Sequence, residues 1–138
     1  MTFELERKNI EEEFAGTWNS TTTPVAYSNI RGIVKGTSIL KNSTGLDEWA
    51  RLEIVNASSD NAVIGGSSVQ HVGTIVVSIF VKSGTGTDRA RELADTVRGI
   101  FNNASFDGIQ CEATYLTTVG DIEGFYQLSV VTPYSRRQ

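Results

Sequence analysis

The chain is short of the residue types on which many small catalytic and metal-binding domains depend. Among its 138 residues there is one cysteine and one histidine. Cys111 therefore has no intramolecular disulfide partner and cannot build a cysteine zinc cage, a usage compatible with a reducing compartment. His71 stands in no sequence relation to Cys111 or to a serine in a nucleophile motif, so triad chemistry is not indicated. Gly-Lys-Ser/Thr occurs nowhere, which removes the P-loop. No apolar run reaches membrane length, and the opening Met-Thr-Phe-Glu-Leu-Glu-Arg-Lys is interrupted by charge before a signal core could form. Synthesis in the cytoplasm without membrane association is the expectation. A dominant charge is missing as well. The 12 basic and 16 acidic residues leave a net charge of −4, with no field that calls for nucleic acid.

What the chain does have is one strong strand-turn-helix unit. From Gly73 to Lys82, Thr74, Ile75, Val76, Val77, Ile79, Phe80 and Val81 crowd together, which suits a buried central strand. Ile75, Val77, Ile79 and Val81 share one face; Val76 and Phe80 share the other with Thr74, Ser78 and Lys82. The first face is the expected core and the second is half covered. Beyond the turn, Ala90, Leu93, Ala94, Val97, Ile100 and Phe101 recur at helical spacing with charges between them, predicting an amphipathic helix over about 87–101. Burying Leu93, Val97, Ile100 and Phe101 gives a gross gain of roughly 6–12 kcal/mol before entropy. At this length a single domain over 1–138 is expected.

The flanking segments are weaker in pattern. Phe3, Ile10, Phe14 and Trp18 predict an N-terminal helix with a narrow apolar stripe, and the triplet Glu11-Glu12-Glu13 fans around it too widely to hold one ion. Residues 31–48 carry three glycines and a polar cluster, and read as a long loop or loose hairpin. Arg31, Lys35 and Lys41 precede Asp47 and Glu48 there, a separation of charge that suits a contact between subunits. Residues 49–57 alternate as a strand, pairing antiparallel with the central one. Two further β-rich runs, 109–119 and 124–134, flank the turn Gly120-Asp-Ile-Glu-Gly124, and Pro133 is expected to end the last strand or place it at an edge. Arg136 and Arg137 close the set of candidate contact residues. The sum is an α+β fold, α-loop-β-β-α-β-β, with a mainly antiparallel sheet of about four strands and the second helix packed on it.

Gly84-Thr-Gly-Thr-Asp-Arg89 stands where a phosphate cradle would, between strand and helix. A dinucleotide fingerprint needs a third glycine where Arg89 stands. A cap, with Thr85 as N-cap and Asp88 three residues on, accounts for the motif without a ligand. No catalytic residue, cofactor or metal is indicated. A small ligand-binding or catalytic domain using the Gly84–Gly86 turn is the competing reading from another functional class.

The order of these pieces resembles the tail-terminator-like proteins of long-tailed bacteriophages. The carrying segments are the helix ending Ile10-Glu-Glu-Glu-Phe-Ala-Gly-Thr-Trp18 and leading into Thr23-Pro-Val-Ala-Tyr-Ser-Asn-Ile30, and Gly73-Thr-Ile-Val-Val-Ser-Ile-Phe-Val-Lys82 with its Gly84-Thr-Gly turn and helix. The strand Gly124-Phe-Tyr-Gln-Leu-Ser-Val-Val-Thr-Pro-Tyr134 completes them. The resemblance implies a non-enzymatic α+β subunit that closes into a homo-oligomeric ring, typically a hexamer. Such a ring caps the tail tube at the head-proximal end of the virion and presents the surface to which the head joins. Its implied partners are other copies of itself, the tube protein and a head completion or connector protein. Another head-tail connector or minor tail protein is the alternative of the same class.

Overall fold

Both helices form where the apolar period demands them. The computed structural model describes residues 2–21, 23–27, 33–35, 38–40, 47–61, 69–84, 86–122 and 124–137. Helix α1 spans Phe3–Trp18, with the Thr2 hydroxyl accepting from the Leu5 N–H. Its buried stripe is Glu6, Ile10, Phe14 and Trp18, four residues apart throughout. Phe3, expected in the stripe, is 61% exposed, and a carboxylate holds the inward position instead. Helix α2 spans Asp88–Phe101 and buries Ala90, Leu93, Ala94, Val97, Ile100 and Phe101, the predicted set. Phe14 joins the helices, stacking on Trp18 at 5.0 Å and on Phe101 at 6.2 Å between centroids.

The strands among the described residues are β1 (Val25–Tyr27), β2 (Ile33–Lys35), β3 (Ser38–Leu40), β4 (Glu48–Asn61), β5 (Val69–Lys82), β6 (Ser105–Phe106), β7 (Ile109–Cys111), β8 (Tyr115–Ile122) and β9 (Phe125–Arg137). They make one nine-stranded sheet in the order β3-β2-β1-β4-β5-β9-β7-β6, with β8 also paired to β9. All pairings are antiparallel except β1 with β4. The expected α+β class and antiparallel β4–β5 pair are present, but the count of about four strands is too low. The additional strands are two or three residues long, too short to show alternation. Two of them lie in the segment read as a long loop or loose hairpin, where β2 and β3 pair antiparallel; residues 31–32, 36–37 and 41–46 of that segment lie outside the described residues.

β4 runs past the expected end at residue 57 to Asn61, with Ser59–Asn61 paired with Val69–His71 beyond a register shift between Asn56 and Ser59. The run 109–119 is divided between β7 and β8, and β8 continues through Gly120 to Ile122, so the turn into β9 is shorter than the sequence suggested. Pro133 neither ends β9 nor puts it at an edge. The Pro133 carbonyl accepts from the Glu112 N–H at 2.8 Å. In an extended residue the nitrogen points to the same side as the carbonyl, so the missing donor falls toward the break between β7 and β8. The ladder with β5 continues past it, Thr74 opposite Pro133.

Ala50 and Leu52 of β4, Ile75, Val77, Ile79 and Val81 of β5, and Leu128, Val130 and Tyr134 of β9 form the core under the helices with Ile109 and Cys111. Burial raises the Cys111 thiol to about 11, with a smaller contribution from Glu13. The second face holds Trp49 stacked on Phe80 at 4.1 Å, Phe125 edge-on to Trp49, and the Arg51 guanidinium over Phe80. Val55 there is 51% exposed. Core on one side and half cover on the other is the division predicted for β5.

Candidate assembly surface

The charged residues expected at a subunit contact divide into those that face solvent and those the subunit uses internally. Arg31 and Lys41 lie outside the described residues, and Lys35 ends β2. Asp47 is exposed; its carbonyl accepts from the Lys82 N–H at 2.8 Å, holding the start of β4 against the end of β5. Glu48 has partners within the chain. Its carboxylate accepts from Thr23 Oγ1 at 2.6 Å and from Arg89 Nε at 3.0 Å, tying β4 to the segment before β1 and to the first turn of α2. Burial works against the charged form, but the bonds from Arg89 and Thr23 outweigh it and hold the Glu48 carboxyl below its ordinary range. Arg89 rises in turn, mainly through its bond to Glu48.

Arg136 is placed inside the subunit. It is 2% exposed, with Nε 3.2 Å from the Glu6 carboxylate and the guanidinium 5.3 Å from the Phe3 ring centroid. Tyr134 Oη donates a short hydrogen bond to the same carboxylate, and Asn56 Nδ2 donates to it at 3.3 Å. Burial, then the bond to Glu6, push the Tyr134 hydroxyl far above its ordinary value. Gly73 makes room for this ring: a Cβ there would stand 2.7 Å from Tyr134 Oη. Arg136, proposed from sequence as a contact residue, therefore secures α1 to β9, and only Arg137 of the pair is exposed. Sequence reasoning overlooked Glu6 because it sought apolar residues on the stripe, although the spacing 6-10-14-18 marks it.

The Gly84–Gly86 turn is confirmed as a turn, with φ of +86° and +87° at the two glycines, where Gly is favoured. The N-cap of α2 is Thr87, without a side-chain cap bond, and not Thr85, which lies outside the described residues. Arg89 at the helix start is engaged by Glu48 and Glu92. No group of three His, Cys, Asp or Glu that could hold a metal occurs among the described residues. Among them, too, no helix is long and apolar enough to cross a membrane. His71 lies edge-on to Phe3 at 5.4 Å, within the packing of α1 on the sheet.

Asp47 remains exposed at the start of β4, and at a border of the sheet stand β8, where Tyr115 and Val119 are 55% and 47% exposed, and the exposed Arg137 at the end of β9.

Comparison with known proteins bears on what this surface is for. A family model described as phage tail terminator protein matches residues 7–107. No curated protein matches the sequence. A solved structure whose name states no function superimposes with a TM-score of 0.67, covering 99% of this chain and 96% of its own at 15% identity; this likeness shows the fold. The matched span is well over half of the sequence, and the chain belongs to the phage tail terminator family.

Proposed function

From that membership we propose that the protein closes into a ring, a hexamer, on the end of the finished tail tube, where it stops tube growth and offers the surface that receives the head. The family match over residues 7–107 carries the reading. The structural role of the family in the phage tail makes this a virion component, and its partners in the proposal are its own copies, the tube protein and the head's completion or connector protein. The fold supports a building block: the helices protect one face of the sheet while short strands and uncharged edges are left at its borders. In the segment 31–48, no described side chain bonds the Asp47 carboxylate, and the proposed charge contact sets Arg31, Lys35 and Lys41 of one copy against acidic residues of the next.

The test is the mass of the purified protein, alone and mixed with isolated tail tubes, followed by electron microscopy of the tubes. A ring-sized species on one tube end, and tails of uncontrolled length when the gene is inactivated, are the expected results. Tails of normal length that fail only to join heads would assign the protein to the connector instead, and a monomer that ignores tubes would refute the proposal.

A further inference from the structure

Tyr115, Leu116, Thr117, Thr118 and Val119, the first five residues of β8, are all exposed. Each suits an extended or apolar environment, and none is charged, Gly or Pro. One side of β8 is bonded to β9, and among the described residues nothing pairs with the other, so backbone N–H and C=O groups face outward. Natural edge strands are usually blunted by Lys, Pro, inward charge or brevity. Here the bulge between Thr118 and Gly120 is the device present, and it leaves Tyr115–Thr118 as a regular ladder. Beside them, between β8 and α2, a groove of about 220 Å³ lined by Ala94, Arg98, Leu116 and Val130 has room for a side chain of an added strand.

The chain carries a strand that fits. At the other end of the sheet, beyond β4, β5 and β9, β3 is the terminal strand of the order. Its sequence Ser38-Ile-Leu40 is also without charge, so pairing it with β8 would bury none. Lys35 and Lys41 flank it in the sequence, while exposed Glu112 and Asp121 flank the ladder of β8. We propose that β8 of one copy pairs edge to edge with β3 of the next, so that the sheet continues across the subunit boundary. The inference rests on the ring reading and names its contact. Strand addition draws affinity from main-chain bonds and specificity from the flanks. Two different patches in contact make a heterologous interface, which can repeat around a ring, whereas β8 against β8 would stop at two copies.

The test uses the full chain with tail tubes present and reads mass by sedimentation and native mass spectrometry. Thr117→Lys with Thr118→Lys places two charges on the exposed edge; it should leave the thermal melt unchanged and weaken ring formation at least tenfold. Ser38→Lys should do the same from the other side. Mixed together, the two variants should yield a two-copy species, because each keeps the edge the other has lost. A ring of wild-type mass in the Thr117/Thr118 variant overturns the edge contact and leaves the ring reading intact. Two-copy species in Ser38→Lys alone would show β8 paired with β8, against the proposal. Wild-type protein that stays monomeric on tubes overturns both readings.

Discussion

Glu6 and Arg136 are a buried ion pair whose removal from one side should be costly. Both residues are 2% exposed, and Tyr134 and Asn56 complete the bonding around the carboxylate. Glu6→Gln keeps the shape and deletes the negative charge that faces the buried Arg136 guanidinium. Breaking a buried pair from one side costs about 3–5 kcal/mol. Domains of this size are stable by roughly 7–20 kcal/mol at 0.05–0.15 per residue, so the loss is a large share. Tyr134→Phe removes one hydrogen bond to a charged group and should cost less, about 1.5–3 kcal/mol. The combined variant Glu6→Leu with Arg136→Met removes both charges together and should be more stable than Glu6→Gln, since an apolar replacement avoids the desolvation that a lone charge suffers. Equilibrium urea melts, with the slope checked for two-state behaviour, measure all three. A loss under about 1 kcal/mol in Glu6→Gln, or a combined variant worse than the single one, would show that the pair is solvated and the reasoning wrong.

Leu93→Ala empties a position 1% exposed under α2 and should cost about 2–5 kcal/mol; a loss below half a kilocalorie in the same melts would place the stripe outside the core. Glu48→Gln tests the tie between β4 and α2 through pH. The Glu48 carboxyl is lowered from its ordinary 4.5, so the folded chain binds that proton less readily than the unfolded one. Its contribution is therefore complete above about 4.5 and is lost as pH falls through the lowered folded value. Wild type should exceed the variant in stability at pH 7, with the gap closing in acid, and a gap of equal size at pH 7 and pH 3 would refute the assignment.

The helices were legible because each pattern is local. Ala90 to Phe101 repeats at three and four residues, and the structure turns those residues inward. β4 and β5 were legible in their central parts, where β-branched residues crowd and Ala50, Leu52 and Ile54 alternate with Arg51 and Glu53. What could not be seen depends on partners distant in sequence. Nothing beside Glu6 separates it from Glu4 or Glu11 except its place on the stripe, and what makes its burial possible stands at Tyr134 and Arg136. Pro133 carries a local rule against interior strands, and the rule fails because the break between β7 and β8 lies where the donor is missing. The contact residues Glu48 and Arg136 were proposed from charge, and charge alone does not say whether a side chain faces a neighbour or its own subunit.

The cluster that holds α1 also sets an order of events during synthesis. Glu6 and Tyr134 are 128 positions apart. At about 5–20 residues per second, the ribosome takes roughly 6–26 s to travel between them, whereas helix–coil exchange is complete within about a microsecond. A lone helix of sixteen residues is marginal in water, so α1 forms and melts many times before β9 exists to receive it. Through that interval Glu6 lacks the partners that enclose it in the folded chain. It becomes a buried group only when Tyr134 and Arg136 arrive, so α1 can meet α2 through Phe14 and Phe101 earlier, while its final seating waits for the last strand.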